Sequence, residues 1–240
     1  MRRIALITGA AKRIGRAIAA ALASQGFDIG VHYGNSRDEA LSFVAELEFM
    51  GVRAHALQAD LADPEQVETL FTRTIEALGP VQVLVNNASI FLDDRFETLD
   101  AKSFLTHFQT NTLAPLLLSK AMKNQDPVPN DACIINLIDQ RILRPLPGFI
   151  SYGLSKAALH HATTLAASEL APNIRVNAIG PGPIIRSIHQ TEDDFRTETL
   201  STPLQRQVWP EEVAEAVLYL VNAHSVTGQM ICVDSGQHLN

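Results

Sequence analysis

Tyr152 and Lys156 stand at the two ends of Tyr152-Gly153-Leu154-Ser155-Lys156. On a helix this i, i+4 spacing places phenol and ammonium on one face, one turn apart. A nearby ammonium stabilises phenolate and lowers the tyrosine pKa, which makes a phenol usable for proton transfer near neutral pH. An exposed tyrosine above a surface lysine has the same spacing, so the pair gains meaning only from its company. Upstream, the apolar run Ile134-Ile135-Asn136-Leu137-Ile138 ends in Asp139. Acids rarely end buried strands without purpose. An ionised carboxylate only accepts hydrogen bonds, and beside a developing alkoxide it repels. Asp139 therefore argues against a simple ketone or secondary alcohol. It argues for a substrate bearing N–H groups, or for a carboxyl that passes a proton through Tyr152 or water. Its other use would be to cap the following loop.

A second constellation opens the chain. Ile4 to Ile7 reads as a strand, followed by Thr8-Gly9-Ala10-Ala11-Lys12-Arg13-Ile14-Gly15 and an alanine-rich helix. Strand, glycine turn and helix N-terminus form an anion cradle, with backbone N–H groups and the helix dipole aimed at phosphate. Gly9 lets the chain turn, and Gly15 lets the helix sit close to the sheet. Two glycines would equally serve a turn without a ligand, but the position at the start of a βαβ unit favours a dinucleotide. NAD enzymes place an acid after the second strand to hold the ribose hydroxyls. Here Val31-His32-Tyr33-Gly34-Asn35-Ser36-Arg37 has no acid before Asp38. Its polar donors and cation, with Arg13 near in the fold, suit a 2′-phosphate and so NADP(H). His32, Ser36 and Arg37 are candidate cofactor residues on this ground. Asp60, with Leu61 beside it after the third strand, is a candidate for the adenine edge.

Elements of two periods alternate along the chain to position these groups. Candidate strands are Arg3 to Thr8, Asp28 to Tyr33, Arg53 to Gln58, Val81 to Asn86, Cys133 to Ile138, Arg175 to Ile179 and Met230 to Val233. Candidate helices are Arg13 to Gln25, Ser36 to Met50, Pro64 to Leu78, Lys102 to Lys123, Gly153 to Leu170 and Pro210 to Val221. Most strands read as unbroken apolar runs, as strands covered on both faces do. The expected fold is α/β: one Rossmann-type, doubly wound domain over residues 1–240, about seven parallel strands with helices on both faces. The irregular stretches Arg141 to Ile150 and Gly180 to Thr202 follow strands, so they are candidate site walls, the second a candidate lid.

Composition narrows the function classes. The chain has 240 residues, is 46% hydrophobic and carries a formal net charge of −7, which makes nucleic acid and anionic membrane poor partners. Cys133 and Cys232 lie far apart in sequence, outside any metal spacing, which points to a reducing, cytoplasmic setting and to no metal. The apolar run behind Met1-Arg2-Arg3 is short for a signal peptide core.

Tyr152 and Lys156 have further company in Asn86-Asn87-Ala88-Ser89, Asn111, Pro181-Gly182, Val226-Thr227-Gly228-Gln229 and Val233-Asp234. With the opening Thr8-Gly9 turn, this set resembles the short-chain dehydrogenase/reductase family over nearly the whole chain. The resemblance implies a nicotinamide cofactor and hydride transfer. By matching position, Tyr152 is the proton donor, Lys156 holds the nicotinamide ribose and tunes Tyr152, and Asn111 supports Lys156 through a water relay. Asn87 and Ala88 line the cofactor. The sequence departs from the family where Arg13 replaces a third glycine, Asp139 a catalytic serine, Arg186 a threonine and Ser235 a glycine. The first two departures, with Asn87-Ala88-Ser89-Ile90-Phe91, look like the pteridine reductases, including the dihydromonapterin reductases. That likeness implies that Arg13 bridges cofactor phosphate and substrate, that Phe91 stacks on the pterin, and that Ser89 contacts ligand or cofactor. Asn35 stands where that subgroup commonly has an arginine, and Arg37 is the candidate replacement. The family also implies a homotetramer packed through Lys102 to Lys123 and Gly153 to Leu170. Ketone reduction and non-catalytic cofactor sensing are the competing functions; Asp139 opposes the first and intact Tyr152, Lys156 and Asn111 oppose the second.

Overall fold

The computed structural model describes residues 2–184, 186 and 190–240. Its strands are β1 (Arg3–Ile7), β2 (Phe27–Tyr33), β3 (Ala54–Gln58), β4 (Val83–Asn86), β5 (Ala132–Leu137), β6 (Ile174–Pro181) and β7 (Met230–Val233). They form one seven-stranded sheet in the order β3-β2-β1-β4-β5-β6-β7. Every neighbouring pair is parallel. The order reverses between β1 and β4, the point where open α/β sheets bind ligands beyond their strand C-termini.

The helices are α1 (Arg13–Ser24), α2 (Arg37–Phe49), α3 (Pro64–Leu78), α4 (Ala101–Phe108), α5 (Ala114–Asn124), α6 (Ile150–Glu169), α7 (Glu192–Ser201) and α8 (Pro210–Asn222). Successive strand residues point to opposite faces, so β1, β4 and β5 each feed two cores. Ala5, Ile7, Val83, Val85 and Ile135 join Ile18 and Leu22 of α1 and Val217 and Leu220 of α8. Ile4, Leu6, Leu84 and Ile134 join Leu70 and Phe71 of α3 and Leu118 and Met122 of α5. Burial on both faces is what the unbroken apolar runs require.

Three local outcomes differ from the sequence expectation. First, the span Lys102 to Lys123 is not one regular helix: a π-helical turn, Gln109–Leu113, separates α4 from α5, with the Ala114 N–H bonded to the Gln109 carbonyl. Pro115 has no N–H to return to Asn111, and its ring crowds that carbonyl, so the ladder widens there. Second, α6 begins at Ile150, ahead of the expected Gly153. The buried Asp94 accepts hydrogen bonds from the Ser151 N–H (3.1 Å) and the Ser151 hydroxyl, placing a carboxylate at the helix N-terminus. Third, α7 was not expected. It is started by a capping box, in which Thr191 Oγ1 accepts from the Asp194 N–H at 3.1 Å and Asp194 Oδ2 accepts from the Thr191 N–H at 2.9 Å.

Candidate active site

The strand ends converge on one cleft of about 720 Å³. At its β1 end, Thr8 Oγ1 accepts from the N–H groups of Asn87 and Ala88, both at 2.9 Å, and Asn87 Nδ2 donates to the Thr8 carbonyl at 2.8 Å. These bonds lock the glycine turn after β1 to the chain leaving β4. A Cβ on Gly15 would lie 2.3 Å from the Gly9 carbonyl oxygen and 2.6 Å from Asn87 Nδ2. Only a bare backbone lets α1 bring its N-terminus this close. Arg13, the first residue of α1, has φ 53. That left-handed value explains the family's glycine here, and an arginine bears about 1–2 kcal/mol of strain to hold it. Strain of this kind concentrates at ligand sites.

His32 has a different place from the one expected. It is buried; its Nδ1 accepts from the Gly9 N–H at 3.0 Å, and its Nε2 donates to the Ala59 carbonyl at 3.1 Å. Both ring nitrogens are engaged, so His32 braces the glycine turn from behind rather than facing a ligand. Burial pushes its pKa down to about 4, so the ring is neutral at ordinary pH.

At the β5 end, Asp139 Oδ2 accepts from the Tyr152 hydroxyl at 2.7 Å, and Oδ1 accepts from the Arg141 N–H at 2.8 Å. Asp139 thus both caps the following turn and meets the phenol. Burial raises its pKa. Burial, then the Asp139 charge and hydrogen bond, push Tyr152 well above the ordinary phenol value. The expected lowering of Tyr152 by Lys156 is therefore reversed: burial, reinforced by the nearer carboxylate, decides the sign. Lys156 Nζ donates to the Leu137 carbonyl at 2.7 Å and stands 5.8 Å from the Tyr152 ring centroid. Burial lowers Lys156 to about 8, against the opposing pull of Asp139.

Asn111 is held from both ends of its amide. Its Oδ1 accepts from the Ile90 N–H (3.0 Å) and the Ser89 hydroxyl (3.1 Å), and its Nδ2 donates to the Ile90 carbonyl (3.1 Å) and Ser155 Oγ (3.0 Å). The side chain positions the Ser89–Ile90 segment against α6, and no hydrogen bond among the described residues joins it to Lys156. Phe91 follows on that segment. Its ring stacks on Phe149 (centroids 4.2 Å apart, 5° between planes) and meets the edge of Tyr152 at 4.7 Å.

The cleft brings together Gly9, Arg13, Ile14, Gly15, Asn87, Ala88, Ser89, Phe91, Asp139, Tyr152, Lys156, Pro181 and Gly182. Ser36, Arg37, Asp60 and Leu61 lie outside its lining. Ser36 precedes α2 without capping it through its side chain, Arg37 is exposed, and Asp60 Oδ1 accepts from the Ala62 N–H at 2.9 Å. The lining also holds residues that the sequence reading did not single out: Gln140, Arg141, Phe149, Gln190, Glu198 and Gln237. Arg141 and Phe149 belong to a stretch already expected as a wall. Gln190 and Glu198 fall within the second expected wall, Gly180 to Thr202. Gln237 comes from the C-terminal tail, which folds over the chain's own cleft. Of the expected wall and lid Gly180 to Thr202, residues 185 and 187–189 lie outside the described residues. Among the described residues, Cys232, Asp234 and His238 place donor atoms within 4.8 Å of one another. Asp234 Oδ2 already accepts from the His238 N–H (2.8 Å), and burial pushes the Cys232 thiol up to about 11, so no metal is assigned there. No helix of the described residues is long and apolar enough to cross a membrane.

A glycine turn and helix N-terminus at the switch point of a parallel sheet, facing a tyrosine–lysine pair across one cleft, define a dinucleotide-dependent oxidoreductase site. The family described as "Enoyl-(Acyl carrier protein) reductase" matches residues 9–238. Similar proteins include the 3-oxoacyl-[acyl-carrier-protein] reductase FabG of Staphylococcus epidermidis, 32% identical over 100% of both chains. The uncharacterized oxidoreductase YjdA of Bacillus subtilis is 34% identical over 98% of this chain and 96% of its own. Among solved structures, FolM Alternative dihydrofolate reductase 1 from Brucella canis, complexed with NADP, is 40% identical with a TM-score of 0.96, covering 99% of this chain and 94% of that one. A blue fluorescent protein from a metagenomic library, in complex with NADPH, is 33% identical with a TM-score of 0.92, covering 98% and 97%. The chain belongs to the short-chain dehydrogenase/reductase family and is an NADP-dependent reductase of it.

Proposed function

We propose that this protein is an NADPH-dependent reductase of dihydropterins, acting on a C=N bond. The observation that carries the reading is the 2.7 Å bond from the Tyr152 hydroxyl to Asp139. The group beside the phenol is an acceptor, where a ketone oxygen would need a donor. An amino-pyrimidine edge offers N–H groups to such an acceptor, and Phe91 offers the flat ring a stacking face. The likeness to FolM supports the same reading.

The residues present fit the cofactor. The Gly9–Gly15 turn, which a Cβ would obstruct, leaves room for a pyrophosphate at the N-terminus of α1. Arg13, Ile14, Asn87, Ala88, Ser89, Lys156, Pro181 and Gly182 would hold the dinucleotide in the cleft, with Ser36, Arg37, Asp60 and Leu61 at its adenosine end and His32 bracing the turn. When bound, NADPH supplies the hydride. Tyr152, kept protonated by burial and Asp139, gives its proton to the substrate ring nitrogen. Asp139, hydrogen-bonded to that hydroxyl and with its pKa raised by burial, relays a proton from water to restore it. Lys156 holds the ribose, Asn111 fixes the Ser89–Ile90 segment, and Arg13, Ser89 and Phe91 seat the ring. We further propose a homotetramer, for which exposed Leu105 and Leu116 near α4–α5 and Leu154 and Leu165 on α6 supply apolar surface.

The FabG relatives favour a second reading, reduction of a ketoacyl thioester; Asp139 opposes it. Purified protein given NADPH should consume it, read at the cofactor absorbance band, with dihydromonapterin, dihydrobiopterin or dihydrofolate. Turnover of a ketoacyl thioester and of no pterin would reject the proposal.

A further inference from the structure

One wall of the cleft is a closed polar chain that the proton-transfer scheme does not use. It starts directly after Asp139. Gln140 Nε2 donates to Gln237 Oε1 at 2.9 Å, Gln237 Nε2 donates to Glu198 Oε1 at 2.8 Å, and Gln190 Nε2 donates to Glu198 Oε2 at 2.6 Å. Arg141 Nη2 stands 3.8 Å from Glu198 Oε1. The same guanidinium lies 5.9 Å from the Phe91 ring centroid and 5.6 Å from that of Phe149. Three separate segments, the turn after β5, α7 and the C-terminal tail, therefore meet on one carboxylate inside the cleft.

Both Glu198 oxygens are held by amides, so the carboxylate cannot swing away from a ligand. Its contact with Arg141 is long and easily exchanged. Arg141 thus bridges the Phe91 ring and Glu198, so a substituent on a ring seated at Phe91 would run beside Arg141 toward Glu198. A hydroxyl suits that wall, since it accepts from the guanidinium and donates to the carboxylate. A carboxylate on the substituent would face Glu198 as a like charge, which specific sites use to reject wrong ligands. We infer that Glu198, fixed by Gln190 and Gln237 and paired with Arg141, is a specificity-determining residue. It selects dihydropterins with short neutral hydroxylated side chains over those whose side chains end in carboxylates. This rests on the dihydropterin reading above.

The test is steady-state kinetics of the full chain with NADPH and two substrates, a trihydroxypropyl-7,8-dihydropterin and 7,8-dihydrofolate. The wild type should favour the first in kcat/KM. Glu198→Gln should lower the KM for dihydrofolate by about tenfold and raise that for the hydroxylated substrate, the order expected for one like-charge contact. Adding Arg141→Gln should cancel the gain, because the freed guanidinium makes it. Gln237→Leu, which releases Glu198 without changing its charge, should narrow the preference as a second readout. Parallel KM changes for both substrates, or a dihydrofolate gain that survives loss of Arg141, would overturn the inference while leaving the dihydropterin reading intact. A wild type that turns over neither pterin but reduces a ketoacyl thioester overturns the reading itself, and this inference with it.

Discussion

Replacing Lys156 with methionine should make the protein more stable and nearly inactive, and the stability gain should vanish at alkaline pH. Burial lowers the Lys156 pKa from 10.5 to about 8 in the folded chain, despite the favourable pull of Asp139. A pKa below its unfolded value means that folding is penalised for enclosing the charge. That penalty is complete below about pH 8 and disappears as pH climbs to 10.5. The shift amounts to about 3 kcal/mol at neutral pH. Methionine matches the length without the charge, but it leaves the Leu137 carbonyl without its donor, at about 1 kcal/mol. Lys156→Met should thus gain about 2 kcal/mol at pH 7. Urea unfolding of both proteins at pH 7 and at about pH 9.5 should show the difference close to zero at the higher value. NADPH turnover should fall on the order of a hundredfold, as for other lost proton-transfer groups. A variant less stable than the wild type at pH 7, or a stability gap indifferent to pH, would refute the reasoning.

Three further outcomes follow from the same geometry. His32 titrates near 4 when folded and 6.5 when unfolded, so the stability it supplies is present above 6.5 and lost as pH falls through about 4, about 3 kcal/mol in all; His32→Gln should flatten the acid limb of a denaturation-against-pH series, and superimposable series would contradict this role. Asp139→Ser should exchange substrates, losing dihydropterin turnover on the order of a hundredfold while ketone turnover rises, because the serine hydroxyl can donate where the carboxylate cannot; unchanged selectivity in the NADPH assay would count against it. Gly15→Ala would place a Cβ 2.3 Å from the Gly9 carbonyl; NADPH titration by fluorescence should show loss of at least tenfold in affinity, roughly the least that a forced backbone shift costs, and wild-type affinity would remove the turn from the cofactor site.

What the sequence made legible were features with local signatures. Seven apolar runs became the seven parallel strands because enclosure on both faces leaves no polar alternation to confuse the reading. Gly9, Gly15, Tyr152, Lys156 and Asp139 each carry a residue type whose chemistry is specific to its position, and all line one cleft. What stayed hidden depends on contacts distant in sequence. The start of α6 is fixed by Asp94, 57 residues from Ser151. His32 reads as a polar cofactor contact near the end of the second strand, and only the pairing of β1, β2 and β3 puts its ring behind Gly9 and against Ala59. Glu198 and Gln237 are ordinary surface residue types until the tail folds back across β7. Two departures from the family became physical observations: Arg13 and Ser235, both replacing glycine, have φ 53 and 55. A left-handed backbone is what the missing glycines would have served.

One carboxylate reorganises the proton inventory of the site. With a serine in place of Asp139, the phenol would keep the upward push of burial but lose that of the carboxylate's charge and hydrogen bond. Asp139 instead raises Tyr152 through its charge and its hydrogen bond, and the same charge favours the ammonium of Lys156. Burial and Asp139 together hold the phenol protonated, while burial brings Lys156 down to about 8 against the pull of Asp139. A phenol held in that form is biased to deliver a proton, the direction in which a C=N bond is reduced. Running it backwards requires a Tyr152 phenolate beside an anionic Asp139, which burial penalises twice. On the proposed dihydropterin reading, the acid that disfavours a ketone thus also separates the pH ranges in which the two directions are fast. Oxidation of a tetrahydropterin by this protein should become measurable only well above the pH that supports reduction.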